Sequence, residues 1–319
     1  MTRVVSLGVN LVDILGAPVV EADGDGIRHL VQDVRITAAG TAAGTSVDLA
    51  KLGVEVVAMG AIGADELGDL LIARLRMHGV ETDQLVRKDT GTSATILPIR
   101  DDGERFSVFH RPGAYRQLTP ADVDRDIVVA ADLLHVGGPD VLGDFVDEQL
   151  TDLLCHAREK GVTTTMDVLS TCDEATLASL APSLPFTDYF FPNHHQVRGM
   201  TGTDDALAGA EDLLSLGVGC VIVTRGAAGS LVVNKEELIE LPALDVEVID
   251  TTGCGDAYTA GFIVGTLKGW GLRSRALLGS ACAALVAGGL GSDAGIEDLD
   301  STLDFLSGQV PDSVEEATG

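Results

Sequence analysis

Short continuous apolar runs alternate with stretches of helical period along most of this 319-residue chain. Runs at 4–8, 54–59, 133–136, 163–167, 189–191, 221–224 and 230–233 predict buried strands. Between them, apolar spacing predicts helices at 46–52, 67–78, 142–160, 205–216, 255–268 and 274–287. Strand–helix alternation of this kind implies an α/β fold, a mostly parallel central sheet flanked by helices on both faces. Ligands of such sheets bind at the carboxyl ends of the strands. Two stretches break the alternation. Residues 17–37 surround Asp23-Gly24-Asp25-Gly26, and residues 92–110 surround Asp101-Asp102-Gly103. Each reads as a β-hairpin on an Asp/Gly turn, and together they predict a small β lid. The domain reading is therefore 1–16, 38–91 and 112–306 for the α/β body, 17–37 and 92–111 for the lid, and 307–319 for a flexible acidic tail.

Composition narrows the function. The chain is 45% hydrophobic with 38 Gly, and no apolar run reaches the roughly 18 residues that a membrane span needs. The N-terminal run has no cleavage-site pattern after it, so a cytoplasmic protein without a membrane partner is expected. Five Cys at 155, 172, 220, 254 and 282 are odd in number and unpaired in spacing, which predicts reduced thiols. A formal net charge of -28 disfavours nucleic acid as a partner, because phosphate contacts need clustered Lys and Arg. Lys numbers only 5 against 33 Asp. That balance suits a high-salt cytoplasm, where screening removes self-repulsion; it also suits an acidic protein from a GC-rich genome.

The most informative stretch is Asp250-Thr251-Thr252-Gly253-Cys254-Gly255-Asp256, followed at once by a small-residue helix pattern. Glycines let successive N–H groups point into one concavity. A helix N-terminus adds unsatisfied donors and the positive end of a dipole. An acid placed in such an anion hole competes with the anion unless it takes a proton from a hydroxyl while the hole holds the transferred group. The stretch therefore points to phosphoryl transfer onto an alcohol. Read alone, Asp256 would be a first-turn or capping acid.

The chain resembles the ribokinase-like carbohydrate kinases (phosphofructokinase-B type) over about residues 3 to 300. The heptad above matches the family's Asp-Thr-x-Gly-x-Gly-Asp. Gly8 and Asp13 resemble the first-strand motif, and Ala39-Gly40-Thr41-Ala42-Ala43-Gly44 resembles the Gly-rich first signature. Gly60, Gly63, Asp65 and Gly68, then Gly113-Ala114, Pro192-Asn193, Thr224 and Gly226, follow in the family's order. The resemblance implies a ribokinase-like fold with a β lid, ATP and Mg²⁺ as cofactors, and a sugar or nucleoside as the small-molecule partner. It implies Asp256 as catalytic base and Gly253, Cys254 and Gly255 as backbone donors to the γ-phosphate. It implies Asp13 and Gly40 at the phosphate acceptor, and Asn193, Thr224 and Gly226 along ATP. Asp250 and Thr252 occupy the positions of a monovalent cation site, K⁺ in many members; a helix-start cap is the other reading of Asp250. Dimerisation through the lid is common in similar proteins, and an exposed two-hairpin sheet has edges to cover.

Four departures stand out. Ala39 replaces a family Gly, Gly44 a substrate-binding Asn, Gln196 the acid of Asn-x-x-Glu, and Tyr115 an Asn after the lid. Gln196 cannot give a negative charge to the water shell of Mg²⁺. Two other nucleotide folds fail on the motif. A dinucleotide fingerprint lacks its third glycine, where Tyr258 stands, and Gly226-Ala227-Ala228-Gly229-Ser230 lacks the Gly-Lys of a Walker loop. A non-catalytic sensor that kept the fold stays open, as does the acceptor. Arg105 or Arg111 suits a sugar acid; Phe106, Phe109 and Tyr115 suit a nucleobase. His110, His194 and His195 read as surface histidines.

Overall fold

The computed structural model describes residues 2–22, 28–100, 108–146 and 148–310. In chain order the elements are β1 (Arg3–Gly8), β2 (Leu11–Ala22), β3 (Arg28–Ala39), α1 (Thr41–Lys51), β4 (Glu55–Gly63), α2 (Glu66–Met77), β5 (Glu81–Lys88), β6 (Ala94–Pro98), β7 (Phe109–Arg111), α3 (Arg125–Val129), β8 (Leu133–Gly137), α4 (Glu148–Glu159) and β9 (Thr163–Asp167). They continue with α5 (Glu174–Leu180), β10 (Tyr189–Phe190), α6 (His194–Thr201), α7 (Ala206–Ser215), β11 (Cys220–Thr224), β12 (Ser230–Asn234), β13 (Leu238–Leu241), α8 (Cys254–Leu267), α9 (Leu272–Ala287) and α10 (Leu299–Gln309).

The main sheet has the order β13-β12-β11-β10-β9-β8-β1-β4-β5, antiparallel only at β11-β12-β13. The chain leaves β1 toward β4 and β5 on one side and later toward β8 and β9 on the other. The β1/β8 junction is thus the switch point at which such sheets open a crevice. Strand ends approach by backbone alone there. A Cβ on Gly8 would lie 2.0 Å from Gly137 O, and one on Gly137 would lie 2.5 Å from Ala42 N. Separate apolar clusters fill the two faces, one around Leu7, Leu134 and Phe190 and one around Leu49, Ile62 and Ile263.

A second sheet, β3-β2-β6-β7, forms the lid. Its underside carries Leu15, Ala17, Leu97 and Ile99 against Leu290. The first hairpin is longer than its pattern predicts. β2 begins at Leu11 and β3 ends at Ala39, because the apolar stretch before residue 17 continues into the same strand. Its turn, and that of the second hairpin with Arg105 and Phe106, lie outside the described residues. The second return strand starts only at Phe109.

Three other expectations need correction. The helix at 46–52 begins at Thr41, because the Gly-rich run itself is helical, with Ala42 N–H and Ala43 N–H both donating to Val9 O. The helix at 142–160 begins only at Glu148; Gly143 sits at φ 67° and breaks the run into two 3₁₀ turns. The helix α10 carries the chain through Gln309, so residues 307–309 belong to structure rather than to the tail. β5, β13, α3, α5, α6 and α10 are absent from the pattern reading. β5 is an eight-residue edge strand, Glu81 to Lys88, with six charged or polar positions that are regular in neither period.

Candidate active site

The anion hole expected at Gly253, Cys254 and Gly255 falls at the start of α8. Gly253 caps the helix at φ 84°, and a Cβ there would meet Ser292 Cβ at 2.5 Å, so both conformation and space demand glycine. The first-turn N–H groups that follow have no intrahelical acceptor. A Cβ on Gly255 would meet nothing within 4 Å, so open space lies beside those donors. Behind them α8 is buried from Ala257 to Gly265. Gly261 packs on Leu278 O and Cys282 Sγ of α9, and Tyr258 Oη donates to Ser230 Oγ at 3.0 Å. The hole is therefore braced before any ligand arrives.

Asp250 belongs to that brace. Its Oδ1 accepts from Thr252 N (3.0 Å) and Thr252 Oγ1 (2.7 Å), and its Oδ2 accepts from Gly291 N (3.0 Å). Ser292 Oγ in turn donates to Ala38 O at 3.1 Å, and Arg35 of β3 pairs with Asp293 at 2.9 Å. The base of the lid and the anion hole thus share one loop.

Asp256 sits half-buried in the first turn of α8. Burial, and then the charge of Asp13, push its carboxyl up to about 7. A carboxylate at that value is poised to exchange a proton at neutral pH. Its side chain lies against α1: a Cβ on Gly44 would come 2.4 Å from Asp256 Oδ2. The departure at Gly44 therefore makes room for the acid itself. Gly40 caps α1 at φ 89°, where a Cβ would strike Val9 O at 2.6 Å. Asp13, on β2, is buried and faces the same cleft.

Sequence reasoning passed over Asp167 and Asp48. Asp167 ends β9 and accepts from Gly138 N at 3.1 Å. Burial, then the charge of Asp256, hold its carboxyl well above the usual range. His135 Nε2 stands 4.0 Å away, but burial lowers that imidazole to about 4, so it is neutral and offsets no charge. Asp48, one turn after Gly44 on α1, is fully buried, and neither carboxyl oxygen has a hydrogen-bond partner. Its carboxyl is likewise raised, first by burial. Asp at the end of a buried strand was the available signal for Asp167. For Asp48 none was visible, because a lone Asp inside the helix read at 46–52 looks solvated until burial is known.

Asn193, Thr224 and Gly226 lie together at the same edge. Asn193 caps α6 and bridges to Thr224 at the end of β11, and Gly226 follows at φ 55°. Gln196 Oε1 accepts from Asn193 N (2.8 Å), while its Nε2 donates to Val168 O (2.8 Å) and Ser170 O (3.0 Å). A glutamate would turn an oxygen toward two carbonyls. Gln196 instead clamps the loop that leaves Asp167.

A family model described as pfkB family carbohydrate kinase matches residues 1–299. An uncharacterized sugar kinase of Archaeoglobus fulgidus is 28% identical over 74% of this chain and 92% of its own length. A 1-phosphofructokinase of Haloferax volcanii is 30% identical over 87% of this chain and 88% of its own. Among solved structures, a putative ribokinase II of E. coli in complex with ATP and Mg²⁺ aligns with a TM-score of 0.82 at 21% identity, over 96% of this chain and 99% of that one. That likeness gives the ribokinase-like fold. With the family matched across nearly its whole length, the chain belongs to the pfkB family of carbohydrate kinases, phosphotransferases whose acceptor is an alcohol group.

Proposed function

We propose that this kinase moves the γ-phosphate of ATP to a hydroxyl of a sugar or nucleoside, with Asp256 as general base. The observation that carries the reading is Asp256 at the mouth of the anion hole, held near neutrality by burial and by Asp13. Asp13 and the α1 start at Gly40 hold the acceptor. Asp256 takes the hydroxyl proton as the oxygen attacks phosphorus. Backbone donors of Gly253, Cys254 and Gly255 receive the charge that spreads over the phosphoryl oxygens, and they need no reorganisation to do so. Asn193, Thr224 and Gly226 line the nucleotide.

Mg²⁺ keeps several waters and needs only one or two carboxylates. Asp167 suits that role, since its buried carboxyl lies close to the carboxyls of Asp256 and Asp140 and the imidazole beside it is neutral, so a cation would offset their charge. When bound, Mg²⁺ supplies neutralisation of phosphate charge. Asp250 is read as a brace of the helix start rather than a K⁺ ligand, because three donors already occupy its oxygens. The outer face of the lid exposes Val34, Ile96 and Phe109, at 59, 52 and 60%. Such a patch on a β-sheet favours a second copy of the chain as its cover. Sedimentation of the protein as a monomer at micromolar concentration would exclude that dimer.

The kinase reading is tested by ATP consumption over D-ribose, D-fructose, 2-keto-3-deoxygluconate and adenosine with Mg²⁺ present. Turnover with at least one acceptor is expected; turnover with none favours the sensor.

A further inference from the structure

One face of α1 turns toward the first turn of α8. Residues three and four apart share a helix face, so Thr41, Gly44, Thr45 and Asp48 form one stripe. Two members of the stripe meet Asp256. A Cβ on Gly44 would come 2.4 Å from Asp256 Oδ2, and Thr45 Oγ1 stands 3.5 Å from Asp256 O. Glycine at 44 thus lets one carboxylate oxygen of Asp256 rest against α1. Asp48 is the next member of the stripe, one helical turn or about 5.4 Å further along. The surrounding packing is apolar, with Ala43, Val47 and Leu49 on α1 and Ala257, Ala260 and Val264 on α8.

Nothing in the packing calls for an acid at this place. Asp48 is 0% exposed, and its two oxygens find no hydrogen-bond partner among the described residues. Lys51, three residues on, gives its ammonium to Asp293 O instead. The other ionisable groups around Asp48 are Asp256 on α8, Cys282 on α9 and Asp293 in the loop before α10. Burial is the first cause that raises the carboxyl of Asp48; the charge of Lys51 opposes it, and the charges of Asp256 and Asp293 add to it. Burial likewise keeps the Cys282 thiol neutral. A carboxyl in such surroundings holds its proton and becomes a hydrogen-bond donor. Left unmet in apolar packing, that donor costs stability.

We propose that Asp48 is a positioning residue for the base: its protonated carboxyl donates, through one bridging water, to the Asp256 oxygen that rests against α1, and so aims the other oxygen at the acceptor hydroxyl. This rests on the kinase reading above. A separation of one helical turn suits a water between two carboxyls rather than a direct bond, and the site is polar at both ends. Asp48 keeps its proton throughout, and Asp256 alone takes the proton of the hydroxyl. A neutral donor orients the base without the loss of basicity that a cation in the same place would bring. Gly44 belongs to the same device, because a side chain there would close the gap between the two carboxyls.

The experiment measures kcat, both KM values and the melting temperature in the wild type, Asp48→Leu and Asp48→Asn, with whichever of D-ribose, D-fructose, adenosine and 2-keto-3-deoxygluconate is turned over. Leucine has nearly the shape of the acid and no donor; asparagine keeps an N–H donor. In Asp48→Leu kcat should fall about tenfold or more, with both KM values within a few-fold. Its melting temperature should hold or rise, because an unpaired buried acid has been replaced by an apolar group. Asp48→Asn should keep kcat within a few-fold of the wild type. An unchanged kcat in Asp48→Leu overturns the proposal and leaves the kinase reading standing. So does an equal loss of kcat in both variants. A loss in Asp48→Leu that comes with a lower melting temperature marks a merely structural role and overturns it too. Wild-type turnover with no acceptor overturns the kinase reading itself and the role of Asp48 with it.

Discussion

At the floor of the cleft, α8 offers N–H groups, a glycine at φ 84° and an acid in its first turn. At the roof, β2, β6 and β7 offer side chains from residues 13, 95 and 110, aligned only by strand register. The floor is backbone held by packed helices; the roof is a sheet tied to the body through Arg35, Ser292 and Tyr115. In the proposed reading, phosphoryl transfer is assigned to the packed helical side and acceptor contacts to the sheet side. The sharpest way to break this division is at Asp256. Asp256→Asn should lower kcat by roughly 10²- to 10⁴-fold while ATP still binds. Near-normal turnover would move the chemistry elsewhere. The same variant has a stability signature. Folded Asp256 keeps its proton up to about 7, whereas the unfolded carboxyl releases it near 3.8, so this group makes the wild type lose stability as pH rises through that window. In thermal melts Asp256→Asn should gain on the wild type from pH 5 to pH 8.

The same division explains what the sequence disclosed. The residues from Asp250 to Asp256 are contiguous, and Gly253 answers a local demand of the backbone at φ 84°, so the proposed site could be read from spacing. The strand–helix alternation likewise carried the parallel sheet, because buried parallel strands are apolar on both faces. The alignment of residues 13, 95 and 110 was invisible for the opposite reason. Its members stand far apart in the chain, and one residue of register slip would have turned Thr95 or His110 to the outer face. Asp48 and Asp167 were hidden differently. A lone Asp inside a helix or ending a strand looks like a solvated or capping residue until burial is known.

Gly44 joins the two regions, since α1 leaves the lid strand β3 and passes beneath Asp256. An added methyl would press on Asp256 Oδ2 at 2.4 Å, the far end of a side chain that can swing aside. Gly44→Ala should therefore cost little stability but misplace the base. A displacement of about 1 Å can cost about 10²-fold in rate. The comparison sharpens if kcat falls by that order while the melting temperature and the KM for ATP hold. It breaks if turnover is unchanged, because the carboxylate would then not act from its position against α1.

The smallest effect is expected where the roof acts on the floor through charge alone. Burial is the first cause of the raised carboxyl of Asp256, and Asp13 is the second. Asp13→Asn removes a like charge, so the carboxyl of Asp256 should fall. The base works deprotonated; in the wild type kcat/KM should climb with pH through about 7. In Asp13→Asn that limb should move to lower pH, even as the acceptor KM rises from the lost contact. A profile that keeps its midpoint would mean the two carboxylates do not sense each other, and that roof and floor meet only through the acceptor. A midpoint that moves upward would require the opposite sign of interaction and would remove Asp13 from the cleft above Asp256.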